Sequence, residues 1–151
     1  MNKVKVLFVC TGNTCRSPMA EGLLKHKCDV CDVLSAGIHA PEGSPASENA
    51  VRVMQKRGID ISGHTAATVT ASVMQRADIV LTMTQSHKQA LQQMFPETAE
   101  KVYTLGEFVD KDVEIPDPFM GEEQVYSACA DVLDKLIQLA VPKLSQMVQP
   151  S

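Results

Sequence analysis

The segment from Val6 to Pro18, VLFVCTGNTCRSP, constrains the fold of this 151-residue chain more than any other. Four apolar residues precede a short stretch with one glycine and one asparagine, and Ser17-Pro18 then opens a helical pattern. This order predicts a buried strand, a tight loop and the start of a helix. Backbone N–H groups in such a loop point inward together, and with the helix N-terminus they form a site for an anion such as phosphate.

Two reactive side chains flank the predicted loop. Cys10 lies where the strand ends, and Arg16 lies where the helix begins. The positive field of the loop favours the thiolate of Cys10, which is the nucleophilic form of a cysteine. The planar guanidinium of Arg16 can hold two oxygens of one phosphoryl group. The spacing Cys-x5-Arg followed by Ser is the signature of cysteine-dependent phosphatases.

The fuller motif CTGNTCRSPMAE resembles the low-molecular-weight protein tyrosine phosphatase family, and the resemblance covers nearly the whole chain. It implies that Cys10 attacks phosphorus, that Arg16 holds the equatorial oxygens and that Ser17 steadies the thiolate. It implies neither a cofactor nor a metal. It also implies that the loop residues together bind the phosphate, namely Thr11, Gly12, Asn13, Thr14, Cys15, Arg16 and Ser17.

Two further positions match the family outside the loop. A leaving group needs a proton, and the family carries its general acid in an Asp-Pro pair before the last helix, here Asp117-Pro118. Without the loop, Asp-Pro would indicate only a turn. His64 matches a histidine that supports the loop by hydrogen bonding to Asn13, and the alternative is an exposed loop histidine. Family tyrosine phosphatases commonly carry an arginine three residues later, where this chain has Ala67.

Two residues indicate the substrate. Tyrosine phosphatases of the family usually have an aliphatic residue at the position of Thr14 and two aromatic residues after Asp-Pro, where this chain has Phe119-Met120. Thr14 and Phe119 instead resemble the protein arginine phosphatase branch. A phosphoguanidine is polar and gains from a hydroxyl neighbour. The sequence predicts hydrolysis of phosphoarginine in proteins through a phosphocysteine, with phosphotyrosine hydrolysis as the alternative and Thr14 as mere loop filler still open.

The remaining cysteines each admit more than one interpretation. The resemblance implies that Cys15 forms a protective disulfide with Cys10, whereas Cys15 could equally be a small residue pointing into the core. Cys28-x2-Cys31 fits half a zinc site or a redox dithiol, but no second Cys/His pair follows, which favours plain thiols. Arsenate reduction on this fold uses additional cysteines near the end of the third strand, and residues 78–95 contain none.

Composition limits the class of partner. Lys and Arg number 14 against 18 Asp and Glu, a net charge of −4, which argues against general binding to nucleic acid or anionic membranes. No apolar run is long enough to span a membrane, and five cysteines do not suggest a disulfide framework. We expect a single phosphatase domain over residues 1–151, a cytoplasmic monomer that acts on phosphorylated proteins.

The apolar periodicity predicts alternating strands and helices. The predicted strands end at residues 10, 37, 83 and 105, and the predicted helices cover residues 18–27, 46–56, 71–76, 85–95 and 122–148. Ser17, Thr70 and Thr84 are predicted N-caps, Pro18 the first residue of its helix, and Pro142 a kink or interruption of the last helix. This pattern predicts a flavodoxin-like, doubly wound α/β sandwich of three layers around a four-stranded parallel sheet of order 2-1-3-4. The Cys10 loop would lie at the topological switch point.

Overall fold

A computed structural model describes residues 3–148 of the chain. Four parallel strands form one sheet in the order β2-β1-β3-β4, as predicted. The strands are β1 (Val4–Cys10), β2 (Cys31–Gly37), β3 (Ile79–Thr82) and β4 (Val102–Thr104). The helices are α1 (Arg16–Lys27), α2 (Glu48–Gln55), α3 (Ala71–Arg76), α4 (Gln85–Met94), α5 (Leu105–Phe108) and α6 (Glu123–Gln146), with a 3₁₀ turn at Pro96–Lys101.

Both faces of the sheet are covered, because side chains of a strand alternate between its two faces. Val6 and Phe8 of β1 join the larger core, to which α1, α2 and α6 contribute. Leu7 and Val9 join the smaller core, together with Leu91 of α4 and residues of α3. The predicted three-layer sandwich is therefore confirmed. Within residues 3–148, no helix combines the length and apolarity that a membrane span requires.

The helix after the loop begins earlier than predicted. Arg16 is the first helical residue and Cys15 is the N-cap, so the predictions of Ser17 as the cap and Pro18 as the first residue are wrong. The Ser17 hydroxyl contacts Cys10 and Asn13 instead of capping the helix. The first backbone N–H groups of α1 have no partner within the helix, which leaves them available to an anion.

Other boundaries follow from local chemistry. Thr70 and Thr84 cap α3 and α4 as predicted, since each side chain accepts a bond from the backbone N–H three residues on. The helix predicted from residue 46 begins at Glu48, because Pro45 pairs with Thr65 in an isolated bridge. The strand predicted through residue 105 ends at Thr104, where a capping box with Glu107 starts α5.

The last helix runs without interruption from Glu123 to Gln146, although Pro142 lies within it. Pro142 is on the exposed side of α6, where water can pair the carbonyl that the missing N–H leaves free. Ile137, Ala140 and Leu144 on the opposite side are buried. Their burial outweighs the lost hydrogen bond, so the predicted interruption at Pro142 is wrong.

Candidate active site

The loop between β1 and α1 borders a cleft of about 260 Å³. The cleft brings together side chains from the loop, from the β2–α2 connection and from the segment before α6. They are Cys10, Thr11, Gly12, Thr14, Cys15, Arg16, Pro41, Asp117 and Phe119. The three residues predicted to be catalytic and the two predicted to set specificity therefore line one cleft. It lies at the carboxyl end of β1, where the strand order reverses.

Asn13 stabilises the conformation of the loop through hydrogen bonds of its side chain and its backbone carbonyl. Its side chain is fully buried, and Nδ2 donates to Ser17 Oγ at 2.8 Å and to Ser35 Oγ at 3.0 Å. Its Oδ1 accepts from the Ala67 backbone N–H at 2.9 Å, and its carbonyl oxygen lies 2.8 Å from His64 Nε2. The contact predicted between His64 and Asn13 is thus present in the structure. At residue 67 a backbone N–H makes the polar contact, for which no arginine side chain is needed.

The conformation of Asn13 also fits its residue type. Its φ is 56°, in the left-handed region that asparagine tolerates better than most residues. This turn lets the loop reverse direction between β1 and α1. The buried amide then satisfies groups on both sides of the turn, so the loop is shaped before any ligand binds.

Ser17 contacts the predicted nucleophile. Its hydroxyl lies 2.9 Å from Cys10 Sγ, and Cys10 is only 3% exposed. Because Ser17 Oγ already accepts from Asn13 Nδ2, its own proton is free to be donated to sulfur. A buried thiolate needs such donors to offset its lost hydration.

Arg16 joins the loop to the segment that carries the predicted acid. Its guanidinium is buried, and Nη1 donates to the carbonyl of Ile115 at 2.9 Å. Nη2 lies 3.8 Å from Asp117 Oδ2, and Asp117 Oδ1 accepts from the Phe119 backbone N–H at 3.0 Å. The Asp117 side chain is 52% exposed, so it faces both the cleft and the solvent.

The second thiol of the loop is held by hydroxyl groups. Cys15 Sγ lies 3.4 Å from the Tyr126 hydroxyl, 3.5 Å from Ser47 Oγ and 3.7 Å from Thr14 Oγ1. Burial and the neighbouring Cys15 raise the pKa of Tyr126 to about 12, so this hydroxyl stays protonated. Cys10 and Cys15 are both free thiols in the structure, and their disulfide stays a prediction.

The other three cysteines are buried and do not line the cleft. Burial raises the pKa of Cys129 to about 12, which suits a thiol that packs on the buried side of α6. Cys28 and Cys31 are buried as well, and burial, with Cys28 beside it, raises the pKa of the Cys31 thiol. In the part of the chain that the structure describes, these two thiols have no third His, Cys, Asp or Glu with which to hold a metal ion.

Gly37 is a site residue that the sequence identified only as the end of the second predicted strand. It pairs with Cys10 at the end of β2, and the next two residues donate to the loop, Ile38 N to Cys10 O and His39 N to Thr11 O. A Cβ atom on Gly37 would lie 2.7 Å from the Thr11 carbonyl oxygen and 2.9 Å from the nitrogen of Asn13. Only glycine allows the loop to approach β2 this closely.

Replacing Gly37 with alanine is therefore expected to displace the loop. We expect a stability loss of about 1–3 kcal/mol, typical of overpacking, measured by denaturant unfolding. We also expect kcat/KM for an aryl phosphate to fall by about tenfold or more, because small displacements of the reacting groups lower the rate strongly. Gly63→Ala is the matched control, since a Cβ there has no atom of the described residues within 4 Å. Equal behaviour of the two variants would contradict this role of Gly37.

His87 is a second residue that sequence reasoning missed. It lies in the first turn of α4, is buried, and places Nε2 2.9 Å from Thr11 Oγ1. Burial and the nearby charge of Arg16 lower the pKa of His87 to about 4, so the ring is neutral near pH 7. The sequence does contain one signal for His87. The residue lies three positions after the N-cap Thr84, at the start of α4, and α4 follows β3, the neighbour of β1.

Comparison with known proteins finds phosphatases with similar sequences and similar folds. The protein-arginine-phosphatase of Geobacillus stearothermophilus is 44% identical over 142 residues, which cover 93% of this chain and 95% of the relative. The crystal structure of the low molecular weight protein tyrosine phosphatase from T. tengcongensis has a TM-score of 0.91 and 44% identity, covering 93% of this chain and 99% of that one. The structure of a YwlE arginine phosphatase variant with a phosphorylated active-site serine has a TM-score of 0.90 and 35% identity. The match covers 95% of this chain and 97% of that one.

An α/β fold with a Cys-x5-Arg loop at its switch point is the arrangement of cysteine-dependent phosphatases. Residues 5–149 match the low molecular weight phosphotyrosine protein phosphatase family, and this chain belongs to that family. The predicted family is therefore confirmed.

Proposed function

We propose that this chain is a protein-arginine phosphatase, which hydrolyses phosphoarginine in proteins through a phosphocysteine on Cys10. The observation that carries the proposal is the position of Thr14. This residue lines the same cleft as Cys10, Arg16 and Asp117. The Thr14 hydroxyl can form a hydrogen bond with the guanidino nitrogens of the phosphoarginine leaving group, which an apolar side chain cannot do. The relative from Geobacillus stearothermophilus supports the same substrate class.

In the first step, Cys10 Sγ attacks phosphorus and forms an S–P bond while the P–N bond to the guanidino group breaks. The backbone N–H groups of the loop and the Arg16 guanidinium hold the phosphoryl oxygens as charge shifts among them. Asp117, protonated, passes its proton to the leaving nitrogen. The products are a protein arginine and the phosphocysteine.

In the second step, water replaces the arginine in the cleft. Asp117, now a carboxylate, takes a proton from that water as its oxygen attacks phosphorus. The S–P bond breaks, and inorganic phosphate leaves with Cys10 restored as a thiolate. Ser17 supplies a hydrogen bond to the sulfur at 2.9 Å, which stabilises the leaving thiolate. His64 and Asn13 keep the loop in shape throughout.

The proposal also covers the substrates, the domain organisation, the oligomeric state and the location of the protein. The substrates are phosphorylated proteins, and residues 1–151 act as one phosphatase domain, a monomer in the cytoplasm. The net charge of −4 speaks against nucleic acid as a partner. When a peroxide oxidises Cys10 to a sulfenic acid, the Cys15 thiol attacks that sulfur, water leaves, and the resulting disulfide protects Cys10 from irreversible oxidation.

Phosphotyrosine hydrolysis is the second candidate, because the same three catalytic residues would serve it. Although Phe119 resembles the arginine phosphatase branch by sequence, its position also supports phosphotyrosine, since the side chain is 63% exposed at the cleft and an aromatic substrate can stack on its ring. The tyrosine phosphatase from T. tengcongensis supports it as well. The residue at position 14 separates the two candidates.

Thr14→Ile is expected to lower kcat/KM for phosphoarginine and to raise it for phosphotyrosine. The substitution removes a hydroxyl beside the leaving group. A polar group of the substrate left without a partner costs about 1–3 kcal/mol, or roughly 5- to 150-fold in rate. The added apolar surface favours an aromatic ring. Steady-state kinetics on a phosphoarginine peptide and a phosphotyrosine peptide measures both changes.

Thr14→Ser is the control for this prediction, because it keeps the hydroxyl while removing the methyl group. We expect it to retain the preference for phosphoarginine. If the wild type prefers phosphotyrosine, or if Thr14→Ile reduces both activities alike, phosphotyrosine hydrolysis replaces the proposed function.

A further inference from the structure

The contact between Thr11 and His87 is partly buried and takes part in neither of the two catalytic steps. Thr11 follows Cys10 and lines the cleft, whereas His87 lies behind it in the first turn of α4. The sheet brings them together, because β1 and β3 are neighbours and Val9 is paired with Thr82. Thr84 Oγ1 accepts from the His87 backbone N–H at 3.2 Å, which sets the position of the ring.

The contact can be made by either tautomer of a neutral histidine. In one, Nε2–H donates to Thr11 Oγ1 and Nδ1 carries no proton. In the other, Nε2 accepts the hydroxyl proton and Nδ1 carries an N–H. Among the residues that the structure describes, none offers a hydrogen-bond partner to the buried Nδ1 of His87.

The surroundings of the ring select between these forms. A buried N–H without an acceptor loses its hydration with no compensation, whereas a bare ring nitrogen is less costly to leave unpaired. The doubly protonated form is disfavoured by burial and by Arg16, which outweigh the opposite influence of Asp117 and Glu114. The neutral Nε2–H tautomer is therefore the one that the site stabilises.

We propose that His87 is a positioning residue, which donates its Nε2–H to Thr11 Oγ1 and so directs the Thr11 hydroxyl proton towards an oxygen of the bound phosphoryl group. A hydroxyl has one proton to donate. Because His87 occupies a lone pair of the Thr11 oxygen, the proton stays free to point into the cleft. The inference rests on the proposed phosphatase function and adds a side-chain donor to the backbone donors of the loop.

The tautomer is tested first, on the unaltered protein. Long-range ¹H–¹⁵N NMR spectra of the full chain are expected to show His87 with Nε2 protonated and Nδ1 bare, unchanged between about pH 5.5 and 8, since only protonation of the ring would alter them. A protonated Nδ1 with a bare Nε2 would overturn the proposal.

The coupling to phosphate is tested with inorganic phosphate as a competitive inhibitor. Thr11→Val and His87→Leu are each expected to raise the inhibition constant about tenfold, the cost of one hydrogen bond to a charged group. The double variant is expected to bind phosphate no more weakly than either single variant, because His87 acts only through Thr11. His87→Gln, whose amide can donate from nearly the same point, is expected to restore binding to within about threefold of the wild type.

The outcomes separate this proposal from the proposed function. Losses that multiply in the double variant, or unchanged binding in Thr11→Val, would overturn the positioning role of His87 while leaving the phosphatase intact. Thr11 is exposed, so its valine variant tests the proposal even if His87→Leu fails to fold. A wild type that neither binds phosphate nor hydrolyses phosphoarginine or phosphotyrosine would overturn the proposed function, and this proposal with it.

Discussion

Cys10→Ser is expected to lower kcat by at least about 10⁴-fold, because a serine hydroxyl is not ionised at neutral pH and cannot replace a thiolate nucleophile. Binding of inorganic phosphate is expected to stay within about threefold of the wild type, since the backbone donors of the loop and Arg16 are unchanged. Steady-state kinetics and phosphate inhibition measure the two quantities. Their separation would show that Cys10 reacts with the phosphoryl group and contributes little to holding it.

Labelling identifies the residue that receives the phosphoryl group. Rapid quenching of the wild type with ³²P-labelled substrate is expected to place the label on Cys10. Cys28→Ser is a matched control, since Cys28 is a buried thiol that does not line the cleft, and full activity is expected. Label on another residue, or turnover by Cys10→Ser close to that of the control, would contradict the covalent mechanism.

Arg16→Lys is expected to lower kcat/KM by about 10³-fold, comparable to the loss of an oriented oxyanion donor. An ammonium keeps the charge but cannot make two parallel hydrogen bonds to equatorial oxygens. Nor can it hold the Ile115 carbonyl and the phosphoryl group in the same way, because both contacts depend on the planar fork of Arg16. We therefore expect Arg16→Lys to be nearly as impaired as Arg16→Ala.

The same exchange elsewhere controls for general effects of lysine. Arg57 donates to Asp131 at 2.8 Å, away from the cleft, and Arg57→Lys is expected to keep full activity. Thermal unfolding of both variants separates a lost catalytic contact from a loss of stability. Near wild-type kcat/KM in Arg16→Lys would show that charge alone suffices and would remove the bidentate role.

The predictable part of this protein was local in sequence. The strand, loop and helix of residues 6–18 follow from an apolar run, a turn and a helix opening, all within thirteen residues of chain. Cys10 and Arg16 could be identified there because the chemistry needs both on one loop. Thr70 and Thr84 were predictable as caps, since a cap depends only on the backbone three residues away.

Ser17 shows where local signals mislead. A serine before a proline indicates an N-cap, yet its hydroxyl is used by Cys10 and by Asn13, and the helix already begins at Arg16. Pro142 is similar, because its effect on α6 depends on which side of the helix is buried. In both cases a tertiary contact outweighed the preference of the isolated segment.

The sequence by itself determined the order of the four strands and of the helices other than the short α5, the family, and the identity of the three predicted catalytic residues. Only the tertiary structure decided what surrounds them: the backbone of Ala67 against Asn13, the close approach of Gly37 and the ring of His87 behind Thr11. Those contacts join residues up to 76 positions apart in the chain. They form because parallel strands bring their carboxyl ends to one edge of the sheet, and no periodicity within a single segment records that meeting.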